Sequence, residues 1–167
     1  MNKKQLGAFL KVMSKDDSRP ILKTAYIDKY DDKYVLVSTD GYKLAAVYVD
    51  EDVEPILGKM IRREAIEKWY KLATGKSRLT GEELVAVSAD DYAQHGSYES
   101  GEYVKWQSII PQIERAGQDV MMFNAEFFKI IQDMDGSEGI KVELYGKLAP
   151  MVVKSERLLA VVMPMKQ

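Results

Sequence analysis

Residues 35–47, VLVSTDGYKLAAV, decide the fold of the first part of this chain. Asp40 and Gly41 lie between two runs of β-prone residues, and glycine readily accepts the positive φ that a tight turn requires. The stretch therefore predicts a β-hairpin with strands at 33–39 and 42–49.

The hairpin is preceded by an amphipathic run and by one more strand. Residues 3–15 place apolar side chains at i, i+3, i+4 and i+7, which predicts a helix with Asn2 as its N-cap. Residues 21–27 predict a strand, and a polar turn at Asp31-Asp32 joins it to the hairpin. The predicted order is one helix followed by three antiparallel strands.

This order returns twice along the chain. In the middle we predict a short strand at 57–61, a helix at 62–73, a strand at 84–89 and a strand or ribbon at 92–100. At the end we predict a strand at 120–123, a helix from Asn124 to about 134, and strands at 140–145, 149–154 and 157–163. The fold class is α+β, with repeated β-α-β-β-β modules. Antiparallel sheets should lie on one side and helices on the other.

Residue types argue against an enzyme. The 167 residues include no cysteine and one histidine, His95, which excludes disulfides, thiolate nucleophiles, cysteine zinc sites and triads that use histidine. Gly75-Lys76-Ser77 lacks the first glycine of a phosphate-binding loop, because residue 70 is tyrosine. The acidic pairs at 16–17, 31–32 and 90–91 are expected in turns. We predict no metal and no cofactor.

The charge is unevenly distributed. Residues 2–15 carry a charge of +4 and residues 59–78 a charge of +5. Because the net charge of the whole chain is −2, the remaining residues together carry −11. Such segments either focus a positive field on a polyanion or are two solvated helix faces. No apolar run reaches the roughly 18 residues of a membrane span, and the N-terminus lacks the apolar centre of a signal peptide. We therefore expect a cytoplasmic protein with no membrane partner.

Three segments resemble the bacterial sliding clamp, the beta subunit of DNA polymerase III. RPILKTAYI with DDKYVLVSTDGYKLAAV resembles the Arg-x-x-Leu strand and the Ala-Thr-Asp-Gly-His-Arg-Leu-Ala-like hairpin of that family's second domain. YVKWQSIIP resembles the segment that closes this domain, and FNAEFFKIIQDMDGSEGIKVELYGKLAPMVV with LLAVVMPMKQ resembles the end of the third domain. The resemblance implies a shortened, DNA-clamp-like form. Its domains would be residues 1–112, two modules of which the second is reduced, and 113–167, a further half-domain module.

In that family, a hydrophobic pocket between the second and third domains receives short linear peptides from polymerases and repair proteins. The resemblance implies that this pocket is formed here by Thr39, Gly41, Tyr42, Lys43, Leu44, Ile109, Pro111, Pro150, Met151, Val161, Val162, Met163, Pro164 and Met165. Methionine side chains are adaptable and suit a surface with several partners. Tyr42 and Lys43 replace the family's usual His-Arg, so the peptide preference can differ.

Clamps line their hole with helices that face DNA. The residues expected to face double-stranded DNA are Lys3, Lys4, Lys11, Arg62, Arg63, Lys68 and Lys71, through contacts independent of sequence. The first hypothesis is a homo-oligomeric sliding clamp, a processivity factor that encircles DNA and tethers a polymerase. The second is a clamp-derived adaptor or decoy that binds the same peptides without encircling DNA.

Overall fold

The protein is described by a computed structural model covering residues 1–97, 102–111, 121–146 and 148–165. Its four α-helices within these ranges are α1 (Lys3–Leu10), α2 (Arg63–Leu72), α3 (Gly81–His95) and α4 (Ala125–Asp135). Its seven strands there are β1 (Thr24–Tyr30), β2 (Lys33–Thr39), β3 (Lys43–Tyr48), β4 (Met60–Arg62), β5 (Val142–Glu143), β6 (Met151–Lys154) and β7 (Leu158–Val162). Short 3₁₀ helices cover Pro20–Lys23, Glu51–Ile56 and Trp106–Ile109.

All seven strands form one antiparallel sheet in the order β4-β1-β2-β3-β7-β6-β5. The predicted hairpin is confirmed, with Thr39 opposite Leu44 at its closed end. The first and last three-strand sets join where β3 pairs with β7, which places Leu44 opposite Val161. The sequence pattern predicts each set separately, whereas the pairing between the two sets depends on the tertiary structure.

The sheet separates two apolar layers. On one face, α1, α2, α3 and α4 pack over the larger layer, which includes Leu6, Phe9 and Ile66. On the other face, the segment 102–111 covers a smaller layer that includes Val37, Leu44 and Val161. Because successive residues of a strand point to opposite faces, both layers draw on the same strands. The prediction of helices on one side of the sheet is confirmed.

The middle of the chain differs most from the prediction. Residues 84–89, predicted as a strand, belong to α3, and so do residues 92–95 of the predicted strand or ribbon at 92–100. Thr80 caps this helix by accepting the N–H of Glu83, and its buried positions 84, 87, 88 and 91 have helical spacing. The acidic pair Asp90-Asp91 therefore lies on a helix and not in a turn. Residues 98–100 fall outside the described residues.

Smaller corrections concern the ends of elements. The first helix ends at Leu10 rather than at residue 15, and Asn2 caps it as predicted. The strand predicted from residue 21 starts at Thr24, because Pro20–Lys23 form a 3₁₀ turn. Residues 121–123 are not in a strand. The predicted domain boundary after residue 112 lies outside the described residues and stays a prediction.

Candidate functional site

The turn of the β2–β3 hairpin is held by its own side chains. Thr39 Oγ1 accepts the Gly41 N–H at 3.0 Å and donates to the Lys43 carbonyl at 2.8 Å. Asp40 Oδ1 accepts the N–H groups of Tyr42 and Lys43, both at 3.0 Å. Gly41 has a φ of +91°, a conformation that residues with a Cβ rarely adopt. The turn is thus fixed with Tyr42 65% exposed at its tip.

The C-terminal segment lies directly against this hairpin. The Met163 N–H donates to the Tyr42 carbonyl at 2.9 Å, which extends the pairing of β3 with β7 by one bond. Two residues later, the Met165 N–H donates to the Met122 carbonyl at 2.8 Å. Backbone hydrogen bonds therefore fix Met163 beside the turn and Met165 beside Met122, and both methionine side chains are exposed.

The segment 102–111 forms a third wall, anchored by aromatic residues. Tyr103 stacks on Tyr26 with ring centroids 4.9 Å apart, and burial raises the pKa of the Tyr103 phenol. Trp106 Nε1 donates to Asp28 Oδ2 at 2.8 Å, and the Trp106 ring is 5.4 Å from that of Tyr30. These contacts hold Ile109 at the surface beside the hairpin.

Between these three parts lies an apolar groove of about 480 Å³. Its lining residues are Leu22, Thr39, Gly41, Tyr42, Lys43, Leu44, Val104, Lys105, Trp106, Ser108, Ile109, Val161 and Met163. A concave, mainly apolar surface with a few polar groups at its rim is typical of a binding site. We call this surface the docking groove.

Eight of the fourteen residues expected in the pocket line the docking groove. They are Thr39, Gly41, Tyr42, Lys43, Leu44, Ile109, Val161 and Met163. Two others, Met151 and Val162, pack into the apolar layer under the helices, on the opposite face of the sheet. Alternation along β6 and β7 explains this, since successive residues of a strand point to opposite faces of the sheet.

Four further expected residues, Pro111, Pro150, Pro164 and Met165, do not line the docking groove either. The groove instead includes residues that sequence reasoning missed, namely Leu22, Val104, Lys105, Trp106 and Ser108. All but Leu22 belong to YVKWQSIIP, so the signal for them was already present in that segment. Leu22 precedes β1 in the 3₁₀ turn, and only the folded chain brings it under Gly41.

Among the residues expected to face DNA, Arg63 has a structural position. It is 6% exposed, and its Nη1 donates to the carbonyls of Leu10 at 2.6 Å and Met13 at 3.0 Å. Its Nε donates to Glu67 at 2.7 Å. The guanidinium thus satisfies carbonyls at the C-terminal end of α1, where a cation is favourable. The expectation that Arg63 faces DNA is corrected.

Four more of these cations are bound by the chain's own acceptors. Lys3 Nζ donates to the Ala73 carbonyl at 2.6 Å, and Lys4 pairs with Asp133 at 3.0 Å. The remaining two bind α3, where Arg62 pairs with Asp91 at 3.3 Å and Lys68 with Asp90 at 2.8 Å. Lys11 and Lys71 are exposed and form no ion pair with a described carboxylate.

The four described helices together are acidic. Formal charges are +2 for α1, +1 for α2, −4 for α3 and −2 for α4, a sum of −3 for the four helices alone. The acidic α3 and α4 therefore offset part of the positive charge of the two basic segments. Within the described part of the chain, no group of three or more potential metal ligands is present, and none of these helices could cross a membrane.

Comparisons with known proteins find likeness in structure alone. No family model matches the sequence, and no curated protein matches it. The DNA polymerase III beta subunit of Borrelia burgdorferi, solved with a natural product, superposes with a TM-score of 0.68 at 13% identity, covering 100% of this chain and 62% of that one. The sliding clamp of Pseudomonas aeruginosa gives a TM-score of 0.64 at 13% identity, covering 99% of this chain and 63% of that one.

A third structure is the Helicobacter pylori beta clamp bound to a DNA ligase peptide. It gives a TM-score of 0.64 at 12% identity, covering 98% of this chain and 63% of that one. The chain therefore spans less than two thirds of the length of these relatives. It has the fold of the bacterial DNA polymerase III beta sliding clamps, in a shortened form.

Proposed function

We propose that this protein binds short linear peptides of replication and repair proteins, including a DNA polymerase, in the docking groove. The observation that carries the proposal is the groove itself, built where the β2–β3 hairpin, the segment 102–111 and the C-terminal segment meet. The Helicobacter pylori clamp, which has the same fold, binds a DNA ligase peptide. Binding a peptide requires no catalytic step, and we propose that the protein is not an enzyme. We also propose that it acts in the cytoplasm.

The groove has the chemistry that a peptide with leucine and phenylalanine anchors requires. Leu44 and Val161 form its floor, and Ile109 and Met163 stand at its rim, 43% and 41% exposed. Burying one large apolar side chain contributes about 1.5–3 kcal/mol, so two anchors supply a substantial part of a micromolar affinity. The exposed rim residues are the ones whose contacts a bound peptide would complete.

Between the two hypotheses, charge favours the adaptor that does not encircle DNA. Encirclement requires cations facing phosphates, and five of the seven cations expected to face DNA are bound by acceptors of the chain itself. The likeness of this fold to that of the sliding clamps supports the alternative, a homo-oligomeric ring around double-stranded DNA. Light scattering with and without duplex DNA separates the two. A monomer that binds peptide but not DNA supports the adaptor, and a stable oligomer that retains DNA contradicts it.

The groove is tested by peptide affinity. A fluorescent Gln-x-x-Leu-x-Phe peptide should bind Ile109→Ala and Met163→Ala about tenfold more weakly than the parent, because each variant removes apolar contact area. Leu57→Ala is the matched control, since Leu57 is 40% exposed and lies outside the groove. Leu44→Ala is less suitable, because Leu44 is 2% exposed and its loss would also destabilise the sheet. If Ile109→Ala and Met163→Ala bind the peptide as tightly as Leu57→Ala does, the proposal is refuted.

A further inference from the structure

The docking groove continues beyond Tyr42 onto a second concave surface. Tyr42 lines both the groove and a neighbouring depression that also includes Lys11, Lys15 and Arg19. Lys11 and Lys15 in turn line a third depression, between α1 and α2, together with Lys71. A ligand that leaves the groove over Tyr42 therefore meets these cations in succession. We call the surface formed by Lys11, Lys15, Arg19 and Lys71 the basic trough.

The basic trough has an excess of positive charge after its internal pairs are counted. Arg63 and Glu67 also line it and are paired with each other. Asp40 lines it as well and is bound by Lys43. Asp16 is the one carboxylate that remains among the described lining residues, against four cations, which leaves an excess of three positive charges.

The position of Arg19 connects the trough to the groove. A Cβ added to Gly41 would lie 3.3 Å from Arg19 Nη1, so this guanidinium rests on the hairpin turn that forms the groove's rim. Lys11, Lys15 and Lys71 form no ion pair with a described carboxylate. The cations are therefore available to a ligand whose apolar part already occupies the groove.

We propose that the peptides that bind the docking groove carry an acidic flank, on one side of their apolar anchors, that binds the basic trough. This inference rests on the proposed function and identifies the partner more closely. A peptide fits better than DNA because the trough is continuous with an apolar groove, which phosphates would not fill. The acidic α3, on the far side of α2, also repels a duplex that extends across the helices. The flank supplies contacts at the rim, where charge affects specificity and association rate.

The test compares peptides that share the Gln-x-x-Leu-x-Phe anchors and differ only in the flank. A run of glutamates or of glutamines is placed on either the N-terminal or the C-terminal side, and affinity is measured by fluorescence anisotropy at low and high salt. One of the two glutamate peptides should bind about three- to tenfold more tightly than its glutamine match at low salt. High salt should remove this difference, because exposed ion pairs are screened.

Variants connect the effect to the trough. In Lys11→Gln/Lys15→Gln, the advantage of the glutamate flank should disappear while the glutamine peptides bind as tightly as before. Lys59→Gln/Lys154→Gln, which removes two exposed lysines outside the trough, should keep the advantage.

Each other outcome overturns the inference in a recognisable way. If the glutamine peptides bind and no glutamate peptide gains affinity, the acidic flank is wrong and the proposed function stands. If no peptide binds, the proposed function fails and the inference fails with it. If duplex DNA binds the parent and displaces the glutamate peptide, and Lys11→Gln/Lys15→Gln abolishes DNA binding, the trough is a nucleic-acid contact.

Discussion

Replacing Arg63 with alanine removes the guanidinium that joins α2 to the C-terminal end of α1. Arg63 is nearly buried, and its Nη1 donates to the carbonyls of Leu10 and Met13 at 2.6 and 3.0 Å. Its Nε donates to Glu67 at 2.7 Å. Alanine supplies no donor, so both carbonyls would lose this partner inside the packed helical layer.

The expected loss follows from these contacts. Leaving a buried acceptor unsatisfied costs about 1–3 kcal/mol, and two carbonyls are affected. Because water can enter the space left by the side chain, we expect a loss of about 3 kcal/mol in the free energy of unfolding. For a chain of this size, that corresponds to a fall of about 6–12 °C in Tm. Arg63→Lys keeps the charge and one donor group, and should lose about half as much.

The assay is urea unfolding followed by the fluorescence of Trp69 and Trp106, with thermal unfolding by circular dichroism. Lys71→Ala is the control on the same helix, because Lys71 is exposed and its loss should change stability by less than about 0.5 kcal/mol. An Arg63→Ala protein as stable as the control would refute the assignment of Arg63 as a helix-end ligand. If that variant also lost affinity for DNA, the original expectation for this residue would return.

Two further predictions concern carboxylates. Asp91 is buried and accepts the backbone N–H of Arg62, at the edge of β4, at 2.9 Å. Asp91→Ala should therefore lower the free energy of unfolding in urea by about 1.5–3 kcal/mol, whereas Asp90→Ala, at an exposed neighbouring position, should lower it by less than about 1 kcal/mol. Equal losses in the two variants would contradict this prediction. The hydrogen bonds from Lys129 and Lys4 lower the pKa of Asp133 below its ordinary value of 3.8, so its contribution to stability is present above that pH and is lost as the pH falls through the lowered pKa. The urea midpoint of Asp133→Asn should therefore fall less on acidification than that of the parent, and parallel curves would contradict the assignment.

The sequence by itself determined the local elements where one signal dominated. Asp40-Gly41 determined the hairpin, because few residues accept the backbone of its turn, and Asn2 and Asn124 marked two helix starts through their capping oxygens. Runs of β-prone residues predicted β2, β3, β6 and β7. The same reasoning failed at 84–89, where a short apolar run fits either a strand or a helix and the capping Thr80 lies outside the run.

The tertiary structure decided which of these elements meet. Pairing of β3 with β7 joins residues more than a hundred positions apart, and nothing local specifies that partner or its register. This pairing determines which face each residue of β7 presents, so Val161 lines the docking groove while Val162 packs under the helices. The same holds for charge. Composition located the basic segments, but only packing brought Arg63 to the end of α1 and the carboxylates of α3 to Arg62 and Lys68, because ion pairs form between neighbours in space.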